Sequence, residues 1–274
     1  MKSLNPVKCR LLAVALSIAA GMLHAQVTGD DALRSVLAPT GTLRAAFLGR
    51  NPVQVRVDQD TGEITGPAAD VARELALRLG VSLAIQPLSG VPAVIEAIEN
   101  GTADIGFLAY DTTRAERVEY TQAYIYGHNS YIVRADSPFE TFSDVDLDGM
   151  RIGAIAGNAV DLHLSRTLEN ADLVHLARGA PDEESMRRVL SGELDAYAAN
   201  KERLAAVAVP GSGVRILDGS VLPVEQSIVV AQQNRAAIAG LDEYIDDVRN
   251  SGLLQEIVDR YAIAGVEVAP TARR

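Results

Sequence analysis

Arg114 and Arg117 follow an apolar run of strand length, Ile105–Leu108. A guanidinium at a strand end facing a crevice has a defined chemistry. It presents a planar fork of donors that suits a carboxylate, and it keeps its charge when partly buried. Little else in the chain suggests chemistry. His128, His163 and His175 lack metal-ligand spacing and read as solvated or hydrogen-bonded histidines. There is no GxSxG, HExxH or phosphate-binding loop. Asp144-Val-Asp-Leu-Asp148 lacks the later Glu of a calcium loop. Asp242, Glu243, Asp246 and Asp247 place acid on one late helical stretch, read as a solvated face or, more sharply, as a docking surface for a membrane partner. The single cysteine excludes an internal disulfide framework and a CxxC metal site. Binding by donors is expected, with no metal, no cofactor and no catalytic residue.

The elements that must position such an arginine follow from patterning. The chain has 274 residues, 48% hydrophobic and 22% charged, enough for a real core in one large domain or two. With no Trp and four Phe, that core must come mainly from Ala, Val, Leu and Ile. A net charge of −11 disfavours nucleic acid and acidic membrane surfaces as partners. Residues 1–25 have the layout of a signal peptide: a basic start, the apolar run Leu11–Leu23, then His24-Ala25. Cys9 precedes that run, so lipidation is not expected. Lys2, Lys8 and Arg10 are the only charged residues of the segment, and its removal takes the chain from −11 to −14. A soluble, exported product is expected.

Strands are expected at Leu43–Leu48, Val53–Val57, Glu63–Thr65, Val81–Pro87 and Asp104–Leu108, with helices at Asp30–Leu37, Pro67–Leu79 and Pro92–Glu99. The pattern then restarts, with strands at Arg151–Ile155, Leu173–Leu176 and Asp195–Ala199 and helices at Ala159–Leu168 and Asp182–Leu190. Gly41-Thr-Leu-Arg-Ala-Ala-Phe47 echoes Gly149-Met-Arg-Ile-Gly-Ala-Ile155, and Asn100-Gly-Thr-Ala-Asp104 echoes Ser191-Gly-Glu-Leu-Asp195. Alternating strands and helices predict parallel sheets covered by helices. The β-rich runs Tyr126–Arg134 and Glu225–Ala231 would cross between two lobes, and the helices Arg235–Val248 and Leu253–Tyr261 would return to the first. The fold class is therefore α/β: a two-lobed clamp with two β crossovers as hinge. Lobe 1 is 26–132 plus 227–274, and lobe 2 is 133–226.

Several motifs in order resemble the bacterial periplasmic solute-binding proteins of family 3. Ile98, Gly101, Asp104, Arg114, Tyr120, Thr121 and Tyr124 keep the order of that family's L-x-x-G-x-x-D, T-x-x-R and F-S-x-P-Y stretch. Gly66-Pro-Ala-Ala-Asp70-Val71 matches its G-F-D-V-D-L helix start. Asp146, Leu147, Gly149, Ile152, Gly153 and Gly157-Asn158-Ala159 match its second-lobe opening, and Gly192-Glu-Leu-Asp195-Ala196 its G-x-x-D-A. Ser251 to Tyr261 is typical of its C-terminal end, so the resemblance spans Gly41 to Tyr261.

The resemblance implies a periplasmic-binding-protein-like fold. It implies capture of a small carboxylate-bearing solute, amino acid or organic acid, by hinge closure, and delivery to a membrane transporter permease by a monomer. Arg114 matches the family's carboxylate arginine, with Phe107 and Ala109 beside it. The backbone N–H groups of Ala109, Asn158 and Ala159 would hold the same anion, since a helix N-terminus favours negative charge. This chain departs from the pattern in three places. Asn200 stands where many members carry the Asp that pairs with an α-ammonium. Ala109 and Ala159 replace hydroxyl residues. Arg50 and Val91 replace the aromatic clasp, and Arg50 would either read a second acidic group or face solvent. The resemblance extends to periplasmic cyclohexadienyl dehydratases, which need an acid to protonate a leaving hydroxyl. In the equivalent place this chain has Arg203, with Glu202 beside it. A sensor or receptor-like domain is the third alternative.

Overall fold

The computed structural model describes residues 29–49, 51–58 and 60–271. The leader over 1–25 and Arg50 lie outside them. Helix α1 covers 29–37. The first β/α run is β1 (Thr42–Leu48), β2 (Arg56–Val57), β3 (Ile64–Thr65), α2 (Pro67–Leu79), β4 (Ser82–Leu88), α3 (Val91–Glu99) and β5 (Ile105–Ala109). The long strand β6 (Val118–Arg134) leads to the second run: β7 (Arg151–Ile155), α4 (Ala159–Thr167), β8 (Asp172–Leu176), α5 (Asp182–Leu190), β9 (Ala196–Asn200), α6 (Lys201–Val207) and β10 (Val214–Ile216). Strand β11 (Leu222–Ala231) returns, followed by α7 (Ile238–Asn250), α8 (Leu253–Tyr261) and β12 (Val266–Val268).

Among the described residues one ten-stranded sheet runs β4-β1-β5-β11-β6-β9-β7-β8, with β10 and β12 added to β6. Strands β4, β1 and β5 are mutually parallel, as are β8, β7 and β9. Strands β6 and β11 run antiparallel between these two blocks, from Leu222 opposite Asn129 to Ala231 opposite Val118. Each block is covered on both faces. Leu43, Phe47 and Leu75 pack with Leu241, Tyr244 and Leu254 on one face of the first, and Val94, Ile98 and Leu108 on the other. In the second, Ile152, Val160 and Leu164 lie on one face and Val189, Tyr197 and Leu204 on the other. The fold is the α/β periplasmic-binding-protein clamp.

Local chemistry sets the element ends. Gly80 at φ 63°, a conformation that glycine adopts without steric cost, closes α2. Gly66, at φ 136°, packs so tightly that a Cβ would lie 2.4 Å from the Gln54 carbonyl oxygen. The expected strand Val53–Val57 shrinks to Arg56–Val57, because Asn51 claims the N–H groups before it. Its Oδ1 accepts the Val53 N–H (3.1 Å), and its carbonyl accepts those of Gln54 (2.8 Å) and Val55 (2.9 Å). Residues Gln232–Ala237 form 3-10 turns, so α7 begins at Ile238 rather than Arg235.

The echo between the halves has a physical basis. Asp104 Oδ2 accepts the Arg44 backbone N–H (2.8 Å) and Nε (3.0 Å), and its own N–H donates to the Arg44 carbonyl (2.8 Å). Asp195 repeats this on Arg151 at 2.9, 3.0 and 2.9 Å. The aspartate of each G-x-x-D thus clasps the first strand of its own block to the third. It is a register device that lies outside the cleft lining.

Burial pushes the Asp195 carboxyl up, but the Arg151 guanidinium and N–H outweigh it and hold the group below its ordinary value. A depressed carboxylate stabilises the fold above its unfolded pKa of about 3.9, and this is lost as pH falls through the folded value. Asp195→Asn is expected to flatten the acid limb of the stability profile below about pH 4; an unchanged limb would contradict the clasp. Asp104→Ala leaves the part-buried Arg44 donors unmatched and should lower the unfolding free energy by about 1 kcal/mol in denaturant titration.

Candidate functional site

A cleft of about 550 Å³ lies where the two blocks meet, a size that suits a small molecule. Leu48, Ser89, Val91, Ala109 and Arg114 line it from the first block. Asn158, Ala159, Asp182, Asn200 and Arg203 line it from the second, and Gly127, Asn129, Val224 and Gln226 come from the crossing strands.

Arg114 opens a 3-10 turn just after β5. Asp111 makes that turn, its Oδ1 accepting the N–H groups of Thr113 (3.0 Å) and Arg114 (3.2 Å). The guanidinium folds back over the strand end, with Nη1 donating to the Ala109 carbonyl (3.0 Å). The Tyr120 hydroxyl donates to the same carbonyl (3.2 Å), and its ring meets Tyr110 edge-on at 5.2 Å. Burial pushes the Tyr120 hydroxyl up to about 12 against the pull of Arg114, so it stays a donor.

Opposite, α4 starts at the cleft with Asn158 as N-cap and no side-chain cap, so Ala159 and Val160 present an uncapped first turn. Asn158 itself is not a free donor: its N–H closes a turn on the Ile155 carbonyl (3.1 Å). The Gly157 N–H donates to Asp161 Oδ2 (2.8 Å), and the other oxygen of that buried carboxylate meets His175 Nδ1 (2.7 Å). Asp161 therefore holds the loop that starts α4.

Beside it stands a pair whose partnership sequence reasoning missed. Arg203 donates through Nε (2.8 Å) and Nη2 (2.6 Å) to the two oxygens of Asp182, and the Tyr197 hydroxyl donates to Oδ1 (2.7 Å). Burial works against the Arg203 charge, but Tyr197, Asp182 and Glu202 more than restore it. Asn200 is the N-cap of α6, its Oδ1 accepting the Arg203 N–H (3.3 Å). Helix α6 was not expected, although Asn200 three residues ahead of a capped N–H is a legible cap signal.

Of the expected site residues, Arg114, Ala109, Asn158, Ala159 and Asn200 come together at the cleft. Arg50 lies outside the described residues. Phe107 does not line the cleft: it is fully buried, stacked on Phe47 at 4.7 Å and edge-on to Tyr124 at 5.6 Å. Alternation puts Phe107 and Ala109 on one face of β5, but Phe107 lies inside the strand among Phe47 and Tyr124, whereas Ala109 is its last residue and reaches the cleft. Glu202 also lies outside the lining, with burial raising its carboxyl and Oε2 lacking a hydrogen bond among the described residues. Across the cleft mouth, Arg166 Nη2 of α4 reaches Asp111 Oδ2 at 3.8 Å. Among the described residues no group of His, Cys, Asp and Glu could hold a metal, and no helix is long and apolar enough to cross a membrane.

The chain is similar to known proteins along most of its length. The L-cystine-binding protein TcyJ of Escherichia coli K12 is 21% identical over 258 residues, 92% of this chain and 94% of the relative. The Bordetella pertussis BvgS periplasmic VFT2 domain superposes with a TM-score of 0.70 at 21% identity, covering 84% of this chain and 97% of that one. An amino-acid ABC transporter substrate-binding protein from Streptococcus pneumoniae, bound to L-arginine, gives 0.65 at 16%, covering 86% and 99%. An ancestral amino-acid-binding protein, a precursor of cyclohexadienyl dehydratase, gives 0.66 at 18%, covering 84% and 99%. At these identities the structures speak for the fold alone. The family model of the bacterial extracellular solute-binding proteins, family 3, matches residues 43–264, and the chain belongs to that family.

Proposed function

We propose that this chain captures a small carboxylate-bearing solute, amino acid or organic acid, in the cleft and delivers it to a membrane transporter. One observation carries the reading: Arg114, braced on the Ala109 carbonyl by one nitrogen, lines the cleft of an otherwise acidic chain. The uncapped first turn of α4 lines the same cleft from the other block. Two sources of positive potential, one on each wall, suit an anion bridging them. The cystine and arginine of the relatives also carry carboxylates.

The lobes are 26–132 plus 227–274 and 133–226, and closure is a hinge motion about β6 and β11. The protein works as a periplasmic monomer, without a lipid anchor, after removal of residues 1–25. Binding proceeds without chemistry. The one carboxylate lining the described cleft, Asp182, is tied by Arg203 and Tyr197, so it is poorly placed to protonate a leaving group.

A thermal-shift screen of carboxylates, dicarboxylates and amino acids tests this, since a ligand at 100 times its Kd should stabilise by ~2.7 kcal/mol. Arg114→Ala should then weaken the best ligand by about 100-fold, also ~2.7 kcal/mol; unchanged affinity would contradict the anchor. Arg166→Ala should cost at most a few-fold in affinity, because the Arg166 side chain is 58% exposed and such pairs are worth ~0–1 kcal/mol.

A further inference from the structure

The cleft's one carboxylate and several of its carbonyl oxygens are occupied, while its two guanidiniums keep uncommitted donors. Asp182 is the single carboxylate lining it among the described residues, and both its oxygens are taken by Arg203, one also by Tyr197. The Ala109 carbonyl accepts from Arg114 and Tyr120. Asn200 Oδ1 caps α6, and Asn51 Oδ1 holds the Val53 N–H. The donors are less committed. Among the described residues Arg203 spends Nε and Nη2 on Asp182 and leaves Nη1, while Arg114 spends Nη1 on the Ala109 carbonyl and lies against the Tyr120 hydroxyl, with donors to spare. The first turn of α4 adds backbone N–H groups.

An ammonium brings three donors and no acceptor. In this cleft the one carboxylate among the described residues is already paired, and the acceptors left, such as Asn129 Oδ1 and Asn158 Oδ1, are neutral, so a buried ammonium would find no free counter-charge. With two arginines against one aspartate, the described lining carries one net positive charge. We propose that the solute is an organic acid rich in oxygen acceptors and lacking an amino group, of the 2-oxo or 2-hydroxy acid type. Arg203 sets this preference by silencing Asp182 and by offering Nη1 to the ligand's second oxygen. The proposal rests on carboxylate capture by Arg114.

The test is calorimetric binding of pairs that share a carbon skeleton: 2-oxoglutarate against L-glutamate, 2-oxoisocaproate against L-leucine, lactate against L-alanine. The parent should bind the oxo or hydroxy member at least tenfold more tightly. Two variants report on the cause. Asn200→Asp keeps the helix cap, since Asp caps as well as Asn, but adds a carboxylate to the cleft. Arg203→Gln releases Asp182. Either should move the ratio at least tenfold toward the amino acid, and Asn200→Asp carries the test alone where Arg203→Gln fails to fold. Preference of the parent for amino acids, or a ratio unmoved in folded variants, overturns this proposal and leaves the Arg114 anchor standing. Binding of neither series overturns the carboxylate reading itself.

Discussion

Everything in this molecule hangs on one antiparallel ladder, β6 against β11. The first parallel block joins it through β5 on β11, and the second through β9 on β6. The cleft is the space beside the point where the ladder passes from one block to the other, and Gly127, Asn129, Val224 and Gln226 put that ladder into its wall. The proposed hinge motion would bend or twist these two strands rather than break a core, because the four apolar clusters divide between the blocks. Strand β12 pairs with Ile125–Gly127 of β6, and the His128 ring lies between Glu267 (2.9 Å) and Ser220 (2.9 Å), so the chain's last strand braces the crossing.

From that frame each wall receives its recognition groups by short local devices. Asp111 shapes the turn that carries Arg114, and Asp161 shapes the loop that starts α4. Both aspartates act through backbone N–H groups, so they place donors without lining the cleft as acceptors. The acidic character of the chain stays outside the site, while the described lining has a small positive excess. That contrast would favour an anion in the gap, as the proposed capture requires.

The α/β pattern was legible because it is coded twice, in apolar periodicity and in punctuation. Helix α2, with Pro67 at its start and Gly80 at its end, matches expectation at both ends, as do β7, α5 and α8. Elements that depend on tertiary partners were not legible. Strands β10 and β12 are three residues long and exist through pairing with β6, and α6 is a seven-residue helix set by its Asn200 cap. In the site, Arg114 could be read from its place after an apolar strand. The Arg203–Asp182 clasp could not: its members lie 21 residues apart on different helices, and only folding shows that each consumes the other's charge. Asn158 is the converse case, a residue at the right place whose N–H the local turn has already used.

The central claim is that an anion bridges the two walls through Arg114. A crystal structure of the closed protein with its bound solute tests it most directly. The account predicts the ligand carboxylate within hydrogen-bond distance of the Arg114 guanidinium and of the first turn of α4. A solute whose carboxylate touches neither, or one that binds as a cation against Asp182 with Arg203 displaced, would contradict it.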